Sequence, residues 1–220
     1  LNYTPQAADG SVDGAKAFSI NAAFELSLQF WAFLVNESVL PDAEKFINPT
    51  AHKSFVWGEK NVAFLKKRYQ TLSAHPMFEQ MQYSEDPEQI SQWMPLVMQG
   101  RSADEPVAAT TIAFGSDVDF GSLTRHMMEW LKQQDNVKLL LSHEVKKLSQ
   151  SRDGRWDVRV YDRQSGPTYD ITSKFIFLGA GGAALTMLQK AGIKEAARYG
   201  GFPVSGQWLV CKNPQVVSQH

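Results

Sequence analysis

Cysteine is almost missing from this chain: Cys211 is the only one in 220 residues. A lone thiol can build neither an intrachain disulfide nor a thiolate metal cluster, and it fits a reducing compartment. An excess of one charge is also lacking. Lys and Arg total 22 against 23 Asp and Glu, a net charge of −1. Without a basic run there is no electrostatic footprint for nucleic acid. No continuous apolar run approaches the roughly 20 residues of a bilayer span, and no signal-peptide pattern opens the chain. Repeats and low-complexity tracts are absent. The first residue is Leu1, and Val217 to His220 form no closing element, a pattern expected of a fragment. What the chain does have is 43% hydrophobic content, enough for a core in one large domain or two small ones.

The most informative stretch is Lys174 to Leu185, KFIFLGAGGAAL. Phe175 to Leu178 read as a strand buried on both faces. Gly179, Ala180, Gly181 and Gly182 then make a turn, and Ala183, Ala184, Leu185 and Leu188 follow in helical spacing. Strand, glycine turn and helix in that order present backbone N–H groups to phosphate or ribose oxygens. The turn is GAGG rather than G-x-G-x-x-G, and no strand precedes Glu195 to set it on a ribose. Tight packing of a helix on a sheet accounts for the same glycines.

Earlier in the chain, Ala15 to Val39 is expected as a helix with Ile20, Phe24, Leu28, Trp31 and Val35 on one face, capped by Asp13 and ended by Pro41. Phe30 and Phe33 widen its apolar surface; they could reach a membrane or a partner, but a second packing face is the favoured reading. His52 to Trp57 alternates as a strand, which puts His52 and Ser54 on one face, opposite Phe55 and Trp57. That pair could line a polar pocket, although a lone histidine is more often structural. Asn61 to Leu72 reads as a helix with Val62, Leu65, Tyr69 and Leu72 inward. Lys66, Lys67 and Arg68 read as a solvated basic face, with Arg68 only a weak anion-binding candidate. Short elements over 81–84 and 87–94 precede a β-branched strand, Val107 to Phe114.

After Gly115, Asp119 caps an expected helix from Phe120 to Gln134 that carries Arg125 in its early turns. Val137 to Leu141 reads as a buried strand. Three alternating strands follow, near 145–150, 156–162 and 168–172, joined by Asp153-Gly154 and Ser165-Gly166-Pro167 turns. Trp208 to Cys211 reads as a last strand after a glycine-dense loop. Helix, parallel strand, three-stranded meander and return to the sheet at a glycine turn match the second half of a flavin-type dinucleotide domain.

Several segments together resemble the malate:quinone oxidoreductase family from end to end. They are LNYTPQ (1–6), FINPTAHKSFVWG (46–58), YSED (83–86), PLVMQGR (95–101), FIFLGAGGAAL (175–185) and GFPVSGQWLV (201–210). The chain departs from the family in lacking the N-terminal strand with the full glycine fingerprint. It also reads AHKSF where close members often read PHMSF.

The resemblance implies an α/β fold: an α+β substrate-covering domain over 1–114, part of an FAD-binding Rossmann-like domain over 115–200 with the three-stranded meander as crossover, and a return to the substrate domain over 201–220. It implies FAD-dependent oxidation of malate to oxaloacetate, with electrons passed to a membrane quinone by a peripheral protein on the cytoplasmic face of a bacterial inner membrane. It casts His52 as the base, unless the base lies outside this chain. Ser54, Arg125 and Gln207 become substrate contacts, with Arg68 in reserve. Val145, Gly179, Ala180, Gly181 and Gly182 would meet FAD. Two other readings stay open: a flavoenzyme of the same group acting on another 2-hydroxy acid such as 2-hydroxyglutarate, and a non-catalytic binding module.

Overall fold

The computed structural model describes residues 4–202, 204, 206, 207 and 210–219. The chain is mixed helix and sheet, as an α/β class requires, and it packs as two units. The first comprises residues 1–137 with 210–220 and the second residues 138–209.

The first unit opens with helix α1, Ala15–Asn36. Gly14 occupies its N-cap position, and Asp13 Oδ1 accepts the Ala15 N–H at 2.9 Å. By length and composition alone α1 is apolar enough to cross a bilayer, although polar residues such as Asn21, Glu25 and Gln29 interrupt its apolar run. Trp31 nevertheless anchors it in a core with Leu40, Phe46 and Leu123. The expected second packing face is not packed among the described residues: Phe30 and Phe33 are both more than half exposed, and Ile20 is exposed too.

Strand β1 (Ile47–Pro49) pairs antiparallel with β5 (Ser116–Val118). A three-stranded antiparallel sheet, in the order β2-β4-β3, is formed by β2 (His52–Trp57), β4 (Val107–Ile112) and β3 (Gln82–Ser84). Helix α2 (Glu59–Ser73) covers one face, where Leu65 packs with Val56 and Ala108, and Leu72 with Ile112 and Met81. Helices α3 (Pro87–Trp93) and α4 (Pro95–Met98) cover the other through Ile90, Met94, Val107 and Ala109. Both sheet faces are therefore covered, and β4, the central strand, is buried along nearly its whole length. Helix α5 (Phe120–Lys132) is capped as expected, with Asp119 Oδ1 accepting the Ser122 N–H at 2.8 Å.

The second unit is built on a meander of β6 (His143–Gln150), β7 (Trp156–Asp162) and β8 (Thr168–Ser173), with positive-φ glycines at Gly154 and Gly166 in its turns. Leu148 and Trp156 on the meander line an apolar hollow of about 200 Å³ with Ile176, Leu178, Leu188 and Ile193. Two expected strands are not formed. Val137–Leu141 and Phe175–Leu178 are irregular, and Phe175 and Phe177 are exposed. A parallel strand needs a neighbour to complete its hydrogen-bond ladder, and none of the described strands supplies one. Helix α6 (Ala184–Lys190) follows the GAGG turn, and α7 (Pro214–Val217) lies beyond it in sequence. The expected strand over 208–211 falls partly outside the described residues; Val210 and Cys211 are irregular.

Candidate active site

The α2-covered face of the three-stranded sheet holds the strongest cluster of functional groups. Strand alternation puts Val56, Ser54 and His52 on that face, and register brings Ser54 opposite Thr110 and His52 opposite Ile112. The other face behaves differently. There Lys53 Nζ donates to the Trp93 carbonyl at 2.6 Å. The Arg101 guanidinium lies 4.6 Å above the Phe55 ring and pairs with Glu105 at 2.7 Å. Its cations are thus accounted for by carbonyl, ring and carboxylate.

On α2 the positions 65, 68 and 72 form a single row at i, i+3 and i+7. Leu65 and Leu72 are fully buried in it, and Arg68 between them is only 7% exposed. This corrects the expectation of a solvated Lys66-Lys67-Arg68 face: both lysines are exposed, but Arg68 turns inward. Its Nε donates to Thr4 Oγ1 at 3.2 Å, while Nη1 is buried with no hydrogen-bond partner. Among the described residues no carboxylate pairs with it. A buried cation without a counter-ion is costly, and burial pushes its pKa down.

His52 lies within electrostatic reach of this charge. Its side chain retains solvent access, yet enough protein surrounds the ring for desolvation, and then the charge of Arg68, to hold its pKa below the ordinary histidine value. A neutral imidazole at neutral pH can accept a proton. Gly115 permits the close approach of the preceding turn. A Cβ there would overlap the Thr50 carbonyl oxygen and stand 3.2 Å from the His52 backbone nitrogen, and Thr50 N–H donates to the Gly115 carbonyl at 3.0 Å.

The remaining expected site residues are dispersed. Arg125 is exposed on α5. In the second unit Val145 lies on β6 beside a register shift and pairs with Val160, while Gln207 is exposed outside any strand or helix. The Gly179–Gly182 turn fits a phosphate- or ribose-bearing group in one respect. Gly181 adopts φ +52°, and a Cβ at Gly181 or Gly182 would meet no atom within 4 Å, so the backbone is bare on that side. Residues that sequence reasoning passed over are Thr4 and Thr110, each 1% exposed, and the inward setting of Arg68. The 65-68-72 spacing was a signal for the last of these. Nothing local marked the two threonines.

A histidine held below its ordinary pKa near a buried arginine without a counter-ion, with a glycine turn elsewhere in the chain, is the main polar feature of this mixed α/β protein. The malate:quinone oxidoreductase profile matches residues 1–220. A probable malate:quinone oxidoreductase of Methylobacillus flagellatus is 60% identical over the whole chain, one of Hahella chejuensis 56% and one of Geobacillus kaustophilus 50%. The chain covers 44% of the length of each of these relatives. The chain belongs to the malate:quinone oxidoreductase family.

Proposed function

We propose that the intact protein oxidises malate to oxaloacetate with FAD as its cofactor and passes the electrons to a membrane quinone. Peripheral attachment to the cytoplasmic face of the inner membrane accompanies this reading. The observation that supports it best is His52, neutral and reachable, on the same sheet face as Ser54 and Arg68 in a chain of this family.

In the proposed reaction His52 accepts the C2 hydroxyl proton on a ring nitrogen and becomes imidazolium. Its lowered pKa keeps that nitrogen free beforehand. Ser54, half-buried two residues along the same face, orients the substrate by hydrogen bonding. Arg125 and Gln207, both exposed, complete the proposed substrate contacts in the intact protein. Gly179 to Gly182 and Val145 would hold part of the flavin nucleotide, the bare backbone at Gly181 and Gly182 giving room for its oxygens. Bound flavin supplies the acceptor for the C2 hydride. The functional division that goes with this reading is substrate cover over 1–114, flavin contacts over 115–200 and a return to the substrate side over 201–220. These boundaries concern roles and are separate from the packing units.

The test is an anaerobic titration of the intact parent protein with malate while flavin absorbance is followed. Bleaching by malate and not by 2-hydroxyglutarate supports the reading. Bleaching by 2-hydroxyglutarate alone reassigns the substrate, and a protein that binds no flavin overturns the enzyme reading.

A further inference from the structure

Arg68 poses a problem that the structural role of α2 does not solve. A helix residue between Leu65 and Leu72 serves packing best if it is apolar. This one carries a permanent charge, is only 7% exposed, and holds a guanidinium nitrogen without an acceptor. Buried polar groups in folded proteins find partners almost without exception, so an unpartnered one calls for an account. The side chain is also fixed in place, because Nε is held by Thr4, itself buried. The result is a held guanidinium fork with one unsatisfied donor group, Nη1, on the face that carries Ser54 and the solvent-reachable His52. A fork of that geometry is matched by a carboxylate, which accepts two parallel bonds from it.

We infer that Arg68 grips a carboxylate of the substrate and so determines that the site takes 2-hydroxy dicarboxylates. The inference rests on the malate reading for the identity of that substrate. Its physical content is that the binding free energy comes from satisfying a charge which the fold has already desolvated. The arginine forfeits little hydration when the anion arrives, and its orientation is set beforehand by Thr4. Neutralising Arg68 also removes the nearby positive charge acting on the imidazole, so the base becomes a better proton acceptor once substrate is in place.

The experiment uses the intact flavoprotein, with succinate, a dicarboxylate lacking the reacting hydroxyl, titrated by calorimetry, and malate followed by flavin bleaching. Arg68→Gln is expected to weaken succinate binding and raise KM for malate by about 10- to 150-fold, the range of a lost charge-assisted hydrogen bond. Its melting temperature is expected to stay level or rise, because an unsatisfied buried charge is removed. Arg68→Lys keeps the charge without the fork and should lose less; it carries the test if the glutamine variant does not fold. Unchanged succinate affinity in both variants, or a wild type that binds no succinate, overturns the inference whatever malate does. A wild type that binds succinate through Arg68 but is not reduced by malate removes the malate reading and leaves the carboxylate site standing. A lowered melting temperature with unchanged KM would reduce Arg68 to a structural residue.

Discussion

His52 and Arg68 share one face of the β2-β4-β3 sheet, and the charge of Arg68 adds to desolvation in holding the imidazole below its ordinary pKa. A strand and the helix packed on it, not neighbouring sequence, create this relationship. Its consequences can be measured.

Replacing His52 by Gln removes the proposed proton acceptor while keeping a polar side chain. Flavin reduction by malate in the intact protein is expected to slow by about 10²- to 10⁴-fold, the usual contribution of a general base. Flavin content should be unchanged. Stopped-flow bleaching under anaerobic conditions reads both quantities, and a variant as fast as the parent would place the base elsewhere.

The same histidine sets a pH dependence. Its folded pKa lies below the unfolded value of about 6.5. The unfolded chain therefore binds the proton more readily, and stability rises with pH across the interval between the two values. The contribution is complete above the unfolded value and is lost as pH falls towards the folded one. Thermal melts of the parent should decline on acidification more steeply than those of His52→Gln. The kcat/KM for malate should fall on the acid side, below the ordinary histidine pKa, and stay level at neutrality.

Gly115 is the position where the backbone itself limits substitution. Gly115→Ala would drive a methyl into the Thr50 carbonyl and against the start of β2. The expected outcome is loss of malate activity out of proportion to the fall in melting temperature, because His52 is displaced. Equal activity with an unaltered melt would show that the turn relaxes freely.

Phe46 tests the first core. It is 1% exposed and meets Trp31 edge-on, with ring centroids 6.4 Å apart. Phe46→Ala should cost about 3–5 kcal/mol in urea unfolding, the range for a buried aromatic truncated to alanine. A loss under about 1 kcal/mol would mean that the surrounding side chains close the cavity.

Gly181 tests the nucleotide side. Its φ of +52° is open to glycine and strained for a β-branched residue. Gly181→Val should lower the ratio of flavin to protein in the purified parent, read from visible and ultraviolet absorbance. Full flavin content in that variant would remove the turn from the proposed cofactor contacts.

Alternation and capping were legible in the sequence because each acts over a few residues. His52 and Ser54 fall on one strand face from period two alone, and β2 has the expected bounds. Asp119 caps α5, and the three meander strands sit between their Gly154 and Gly166 turns. The strands expected over 137–141 and 175–178 were misread for a physical reason: an apolar run states only that a segment is to be buried, whereas a strand exists through its partner. Arg68 was misread as solvated because charge and a run of three basic residues outweighed its place in the 65-68-72 row.

By itself, then, the sequence determined the family, the mixed α/β class and those local elements that rest on identity, spacing and caps. Only the tertiary structure decided that Thr4, sixty-four residues before Arg68, holds its Nε, and that the guanidinium lies buried and unsatisfied on the face of His52. Burial and pairing depend on which distant surfaces meet, and no short stretch of sequence contains that information.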